Sequence, residues 1–122
     1  MPRLLLIRLD AGSDLVTGIE NLARQHGLFH ALVRGGPGSL MHARLQAGGP
    51  AIDVPGPAAE ILTMVGEIHD GVADLHGAVG DPEGRVYAGR FIRDENPVCI
   101  TVELMVEEIP ALSDEGGQRQ AL

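Results

Sequence analysis

Two short turn sequences constrain this chain more than any other feature in it. Asp81-Pro82-Glu83-Gly84-Arg85 has the chemistry of a three-residue hairpin loop. Proline presets φ for the first turn position, and glycine takes the left-handed position that creates a bulge. Asp70-Gly71 is a two-residue hairpin signal. Reversals this tight force antiparallel neighbours, because parallel strands need long crossovers. The first turn sets Asp81 against Arg85, which puts Val79 opposite Tyr87 and His76 opposite Arg90. The second sets His69 against Val72, Glu67 against Asp74 and Val65 against His76.

Side chains alternate between faces along a strand, so the two hairpins can be laid side by side. One face carries Leu62, Met64, Ile68, Leu75, Val79, Tyr87 and Phe91, interleaved with Gly66, Gly77 and Gly89. That is the expected core. The other carries Glu67, His69, Asp74, His76 and Arg90 beside small Ala78 and Ala88.

The remaining elements follow from apolar pattern and punctuation. Leu4 to Leu9 and Phe29 to Val33 are compact apolar runs of strand length. Between them Leu15, Ile19, Leu22 and Ala23 recur at spacings of three and four, which predicts a helix from Asp14 to about His26. Ser13 is the expected cap and Gly27 the expected stop. Gly35 to Ser39 reads as a tight loop, Leu40 to Gln46 as a strand and the Gly/Pro-rich Ala47 to Pro57 as a loop. Ala59 to His69, Val72 to Gly80, Arg85 to Ile92 and Val98 to Ile109 complete the strands. On the last of these, Val98, Ile100, Val102, Leu104 and Val106 share the expected core side. The result is one α+β domain over 1–109. A mostly antiparallel sheet of about seven strands carries one helix on one face in two layers. A tail follows over 110–122.

Charge narrows the function. Nine basic and seventeen acidic side chains give a net charge of −8. All the basic residues are arginine, so a P-loop lysine and Schiff-base chemistry are excluded. No basic stripe offers itself to phosphates, which argues against direct contact with nucleic acid. Cys99 is the single cysteine. It cannot form an intramolecular disulfide, and a reducing cytoplasm is the expected compartment. No apolar tract is long enough for a membrane helix.

The ionisable group Glu67, Asp74, His76 and Arg90 is the main candidate ligand site. Asp74, His76 and Glu67 offer zinc-type donors. Arg90, however, brings a permanent cation to the same spot, so metal is not expected there. A second candidate is the glycine loop, where Gly36, Gly38 and Ser39 could turn backbone N–H groups toward an anion. No nucleophile elbow surrounds any serine, and no catalytic set is assigned.

Gly56-Pro57-Ala58-Ala59-Glu60-Ile61-Leu62, Gly66, Asp70-Gly71, Leu75-His76 and Gly84-Arg85-Val86 with Gly89 together resemble the plants-and-prokaryotes-conserved domain. The Asp14-Leu15 helix start and the Gly35 to Ser39 segment also sit where that family has them. The resemblance spans about Arg3 to Ile109. It implies an antiparallel sheet with flanking helices, assembled as a homotrimer, with protein–protein contact as one role. Free-standing prokaryotic members are commonly labelled DNA-binding, but this sequence has no AT-hook. Relatives often carry a His-x-His pair and a third histidine on the partner strand, a set comparable to a zinc site in acetolactate decarboxylase. Here the three positions are Asp74, His76 and Arg90. The resulting expectation is a non-enzymatic cytosolic homotrimer that binds a protein partner or small ligand and has a regulatory role. The alternatives are a metal- or anion-binding enzyme at His76 and Arg90, and a DNA-binding regulator.

Overall fold

The computed structural model describes residues 2–110. Apart from Pro110, the tail expected over 110–122 lies outside them. The elements are β1 (Leu4–Asp10), α1 (Leu15–Gln25), β2 (Ala31–Leu40), β3 (Ala43–Gln46), β4 (Ile52–Val54), β5 (Ala59–His69), β6 (Val72–Gly80), β7 (Val86–Phe91) and β8 (Val98–Glu108). All eight strands join one open sheet in the order β1-β8-β2-β5-β6-β7-β3-β4. Every pairing in it is antiparallel.

The helix begins where a side chain satisfies its free N–H groups. Asp14, not the expected Ser13, is that cap: its Oδ2 accepts from the Thr17 N–H at 3.0 Å. Its Oδ1 accepts from the Asn96 N–H at 3.0 Å. Ser13 is instead engaged through its backbone, its carbonyl accepting from the Val98 N–H at 2.8 Å. Helix α1 turns Leu15, Val16, Ile19 and Ala23 into the core. They meet one face of the sheet, with Leu9, Val33, Leu75, Phe91 and Leu104 among the buried partners. Gly27, at φ 70°, takes the left-handed position that ends the helix.

An ion pair between buried Glu20 and half-exposed Arg93 pins the helix down. Glu20 is 6% exposed, and its carboxylate accepts from both terminal nitrogens of Arg93, Nη2 at 2.6 Å. It also accepts from the Ala73 N–H at 2.8 Å. Burial pushes the Glu20 carboxyl upward, but Arg93 and the Ala73 N–H outweigh it and hold the carboxyl below its ordinary range.

Several expectations need correction. The sheet has eight strands rather than about seven, because β4 lies inside the segment read as a Gly/Pro loop. The strand expected over Leu40 to Gln46 is broken at Met41-His42. There the Met41 N–H leaves the ladder and donates to the Pro97 carbonyl at 2.8 Å. Gly35 to Ser39 is no loop; it is the second half of β2, flanked by β8 and β5. Its glycines serve close approach. A Cβ on Gly36 would stand 2.5 Å from the Glu103 carbonyl oxygen, and one on Gly35 would stand 2.6 Å from the Met64 Cβ.

Two residues expected in the core, Leu62 and Ile100, lie outside it. An irregularity between Ile61 and Thr63 turns Ile61 inward, at 5% exposure, and leaves Leu62 exposed. Between Gly38 and Leu40, β8 carries more residues than β2, and Ile100 ends 70% exposed rather than in the core.

Candidate functional site on the outer sheet face

The hairpin chemistry places the candidate residues as the sequence implies. Asp81 closes the β6–β7 turn: its N–H donates to the Arg85 carbonyl, and its Oδ1 accepts from the Glu83 and Arg85 N–H groups, each at 2.9 Å. Tyr87 donates its hydroxyl to Asp81 Oδ2 at 2.8 Å. Burial works to raise the Asp81 carboxyl, but these donors prevail and it lies below its ordinary range. Gly84 is at φ 86°, the left-handed bulge position. The turn therefore fixes the register: His76 faces Arg90 and Val79 faces Tyr87. Across the other hairpin, Val65 faces His76 and Glu67 faces Asp74.

These pairings extend into a row across the sheet on the face away from α1. Leu6 faces Met105, Met105 faces Arg34 and Arg34 faces Val65. Val65 then faces His76, His76 faces Arg90 and Arg90 faces Gln46. The row starts apolar at β1 and ends polar at β3. A parallel row carries Leu4, Glu107, Leu32, Glu67 and Asp74.

At the polar end, Arg90 Nε lies 2.9 Å from Asp74 Oδ1. Both side chains are more than half exposed. Two open depressions flank His76. One, of about 280 Å³, is lined by Val65, Gly66, Glu67, Asp74 and His76. The other, of about 440 Å³, is lined by Gln46, Ala47, Gly48, His76, Gly89 and Arg90. The structure therefore brings Glu67, Asp74, His76 and Arg90 together. Gly36, Gly38 and Ser39 lie apart from them on β2. Gly36 instead lines an apolar groove of about 270 Å³ with Leu6, Arg34 and Met105.

A divalent cation does not suit the His76 face. A metal set there would need Asp74, but Asp74 is engaged by Arg90, whose charge is permanent. No group of three or more histidine, cysteine or carboxylate side chains among the described residues is placed to hold a metal. The sequence reading missed a second polar cluster at the end of β5. His30 Nε2 and His69 Nε2 lie 3.4 and 3.5 Å from the two oxygens of Asp70, with the rings 5.2 Å apart. Only the long-range pairing of β2 with β5 brings them together, and no local signal announces that pairing.

An open, bulged antiparallel sheet with one helix on one face and charged residues on the other is the class this chain defines. The chain belongs to the Plants and Prokaryotes Conserved (PCC) domain family, whose model matches residues 1–110. It is similar to a hypothetical protein from Salmonella cholerae-suis, with a TM-score of 0.79 at 26% identity over 91% of this chain and 80% of that chain. It is also similar to a plant- and prokaryote-conserved protein from Pyrococcus horikoshii, with a TM-score of 0.79 at 22% identity over 92% and 84%. A metal-containing protein from Archaeoglobus fulgidus shares the fold, with a TM-score of 0.73 at 22% identity over 87% and 79%. No curated protein matches the chain.

Proposed function

We propose that the chain is a non-enzymatic cytoplasmic binding module of regulatory role. It self-associates as a homotrimer through the apolar end of its outer sheet face and presents the polar end to a small ligand or protein partner. The observation that carries this reading is the contiguity of exposed apolar side chains on β1 and β8. Leu4 and Leu6 are 60% and 80% exposed, and Met105, which faces Leu6, is 39% exposed. Exposed apolar patches of this kind mark interaction sites. Three-fold stoichiometry is drawn from family resemblance. Duplex DNA is a poor partner for the chain alone, given a net charge of −8 and an outer face carrying Glu67, Asp74, Glu103 and Glu107. No helix among the described residues is long and apolar enough to cross a membrane. Light scattering on the purified chain should give three times its 12.8 kDa mass. A monomer at micromolar concentration overturns the reading.

A further inference from the structure

We propose that the depression beside Arg90 recognises a small oxyanion, meaning a carboxylate or phosphate group. Three donors reach it from adjacent strands. His76 on β6 faces Arg90 on β7, which faces Gln46 on β3. Directly opposite residues of an antiparallel pair hold their Cβ atoms about 4.5–5.5 Å apart, so one small ligand spans all three. The depression measures about 440 Å³, and no carboxylate side chain lines it. In a chain with seventeen acidic residues, that exclusion matters. Glu67 and Asp74 line a separate depression with His76, and of the two only Asp74 also reaches Arg90, from outside the larger depression.

Asp74 sets the orientation. It meets Arg90 at Nε, 2.9 Å away, which is the nitrogen at the stem of the guanidinium. The terminal Nη pair is the fork that matches two oxygens of a carboxylate or phosphate. Gln46 gives one amide hydrogen to the Gly49 carbonyl at 3.1 Å and keeps the other. His76 adds a ring N–H.

This inference rests on the ligand-binding half of the proposed function and is independent of self-association. The test is a nuclear magnetic resonance titration of the full chain with inorganic phosphate in one arm and succinate in the other. Saturable shifts at Gln46, His76 and Arg90 are expected in at least one arm, and the tighter arm identifies the ligand class. Arg90→Gln should weaken that binding at least tenfold. Arg90→Lys should fall between, because an ammonium lacks the fork. Unchanged binding in Arg90→Gln, or no saturation with either probe, overturns the proposal. Light scattering on the same samples reads assembly separately. A trimer that ignores both anions sinks this inference and leaves self-association standing.

Discussion

The two ends of the outer sheet face share one backbone ladder and differ in almost everything else. At the β1–β8 end, Leu4, Leu6 and Met105 stand exposed among the described residues. At the β6–β7 end, the same alternation presents Asp74, His76 and Arg90. The inner face makes no such distinction, being apolar from Leu9 on β1 to Phe91 on β7. Backbone pairing therefore supplies the platform, and the outward positions alone divide it into an apolar surface and a charged one. Strand β2 is the seam between them, and its Arg34 is the first charge met along the row from Leu6.

The largest expected effect comes from breaking that seam. In Gly36→Ala, the added methyl would stand 2.5 Å from the Glu103 carbonyl oxygen, a backbone atom with no rotamer to yield. Overpacking of this kind costs about 1–3 kcal/mol, and the upper end applies here because the ladder itself must shift. Urea unfolding should show it. A cost below about 0.5 kcal/mol, the range of ordinary surface changes, would make Gly36 a turn residue after all.

Leu6→Glu attacks the apolar end alone. Leu6 is 80% exposed, so folding stability should change by no more than about 0.5 kcal/mol. Assembly should fail, because burying a carboxylate between copies is costly where burying leucine contributes about 1.5–3 kcal/mol. Light scattering should fall to the mass of one chain while phosphate or succinate still shifts Arg90. An intact assembly would move the interface elsewhere.

Glu20→Gln separates the inner face from both outer ends. Replacing the carboxylate weakens charge-assisted bonds to Arg93 and Ala73, at a cost of roughly 2 kcal/mol near neutral pH. The acid dependence has a definite sign. The folded carboxyl lies below its ordinary value of 4.5, so its contribution is present above pH 4.5 and is lost as pH falls through the folded value. Denaturation midpoints of the wild type should therefore decline over that acid range, and those of the variant should decline less. Equal slopes would show that Glu20 does not carry the effect.

How much of this was legible in the sequence follows the same division. The polar end was legible because turns fix it. Pro82 and Gly84 close the β6–β7 hairpin and Asp70-Gly71 the β5–β6 hairpin, so the pairing of His76 with Arg90 follows from local chemistry. The apolar end depends on β1, β8 and β2, which are distant in sequence and which no turn connects. Gly35-Gly36-Pro37-Gly38 has the composition of a loop, yet the crowding of β2 against Met64 and Glu103 demands those glycines inside a strand. Strict alternation puts Leu62 and Ile100 in the core because it ignores bulges, and each lies beside one.

The smallest effect belongs to Arg34→Met, and it tests where the boundary falls. Arg34 is 67% exposed and lies 3.9 Å from a half-exposed Glu107 carboxylate. A surface pair of that length contributes at most about 0.5 kcal/mol, so urea midpoints should barely move. The substitution keeps a long flexible side chain but removes the charge between Met105 and Val65. The apolar surface then runs unbroken from β1 to β5. If Arg34 lies outside the buried patch and merely limits it, assembly should tighten on dilution, because one more methionine is available to bury. If the guanidinium instead pairs with a carboxylate of another copy, removing it strands that charge and assembly weakens. Sedimentation across a dilution series distinguishes the two by sign. Weakening would place the seam beyond β2, with Arg34 inside the interface and the polar end beginning only at His76, past Val65.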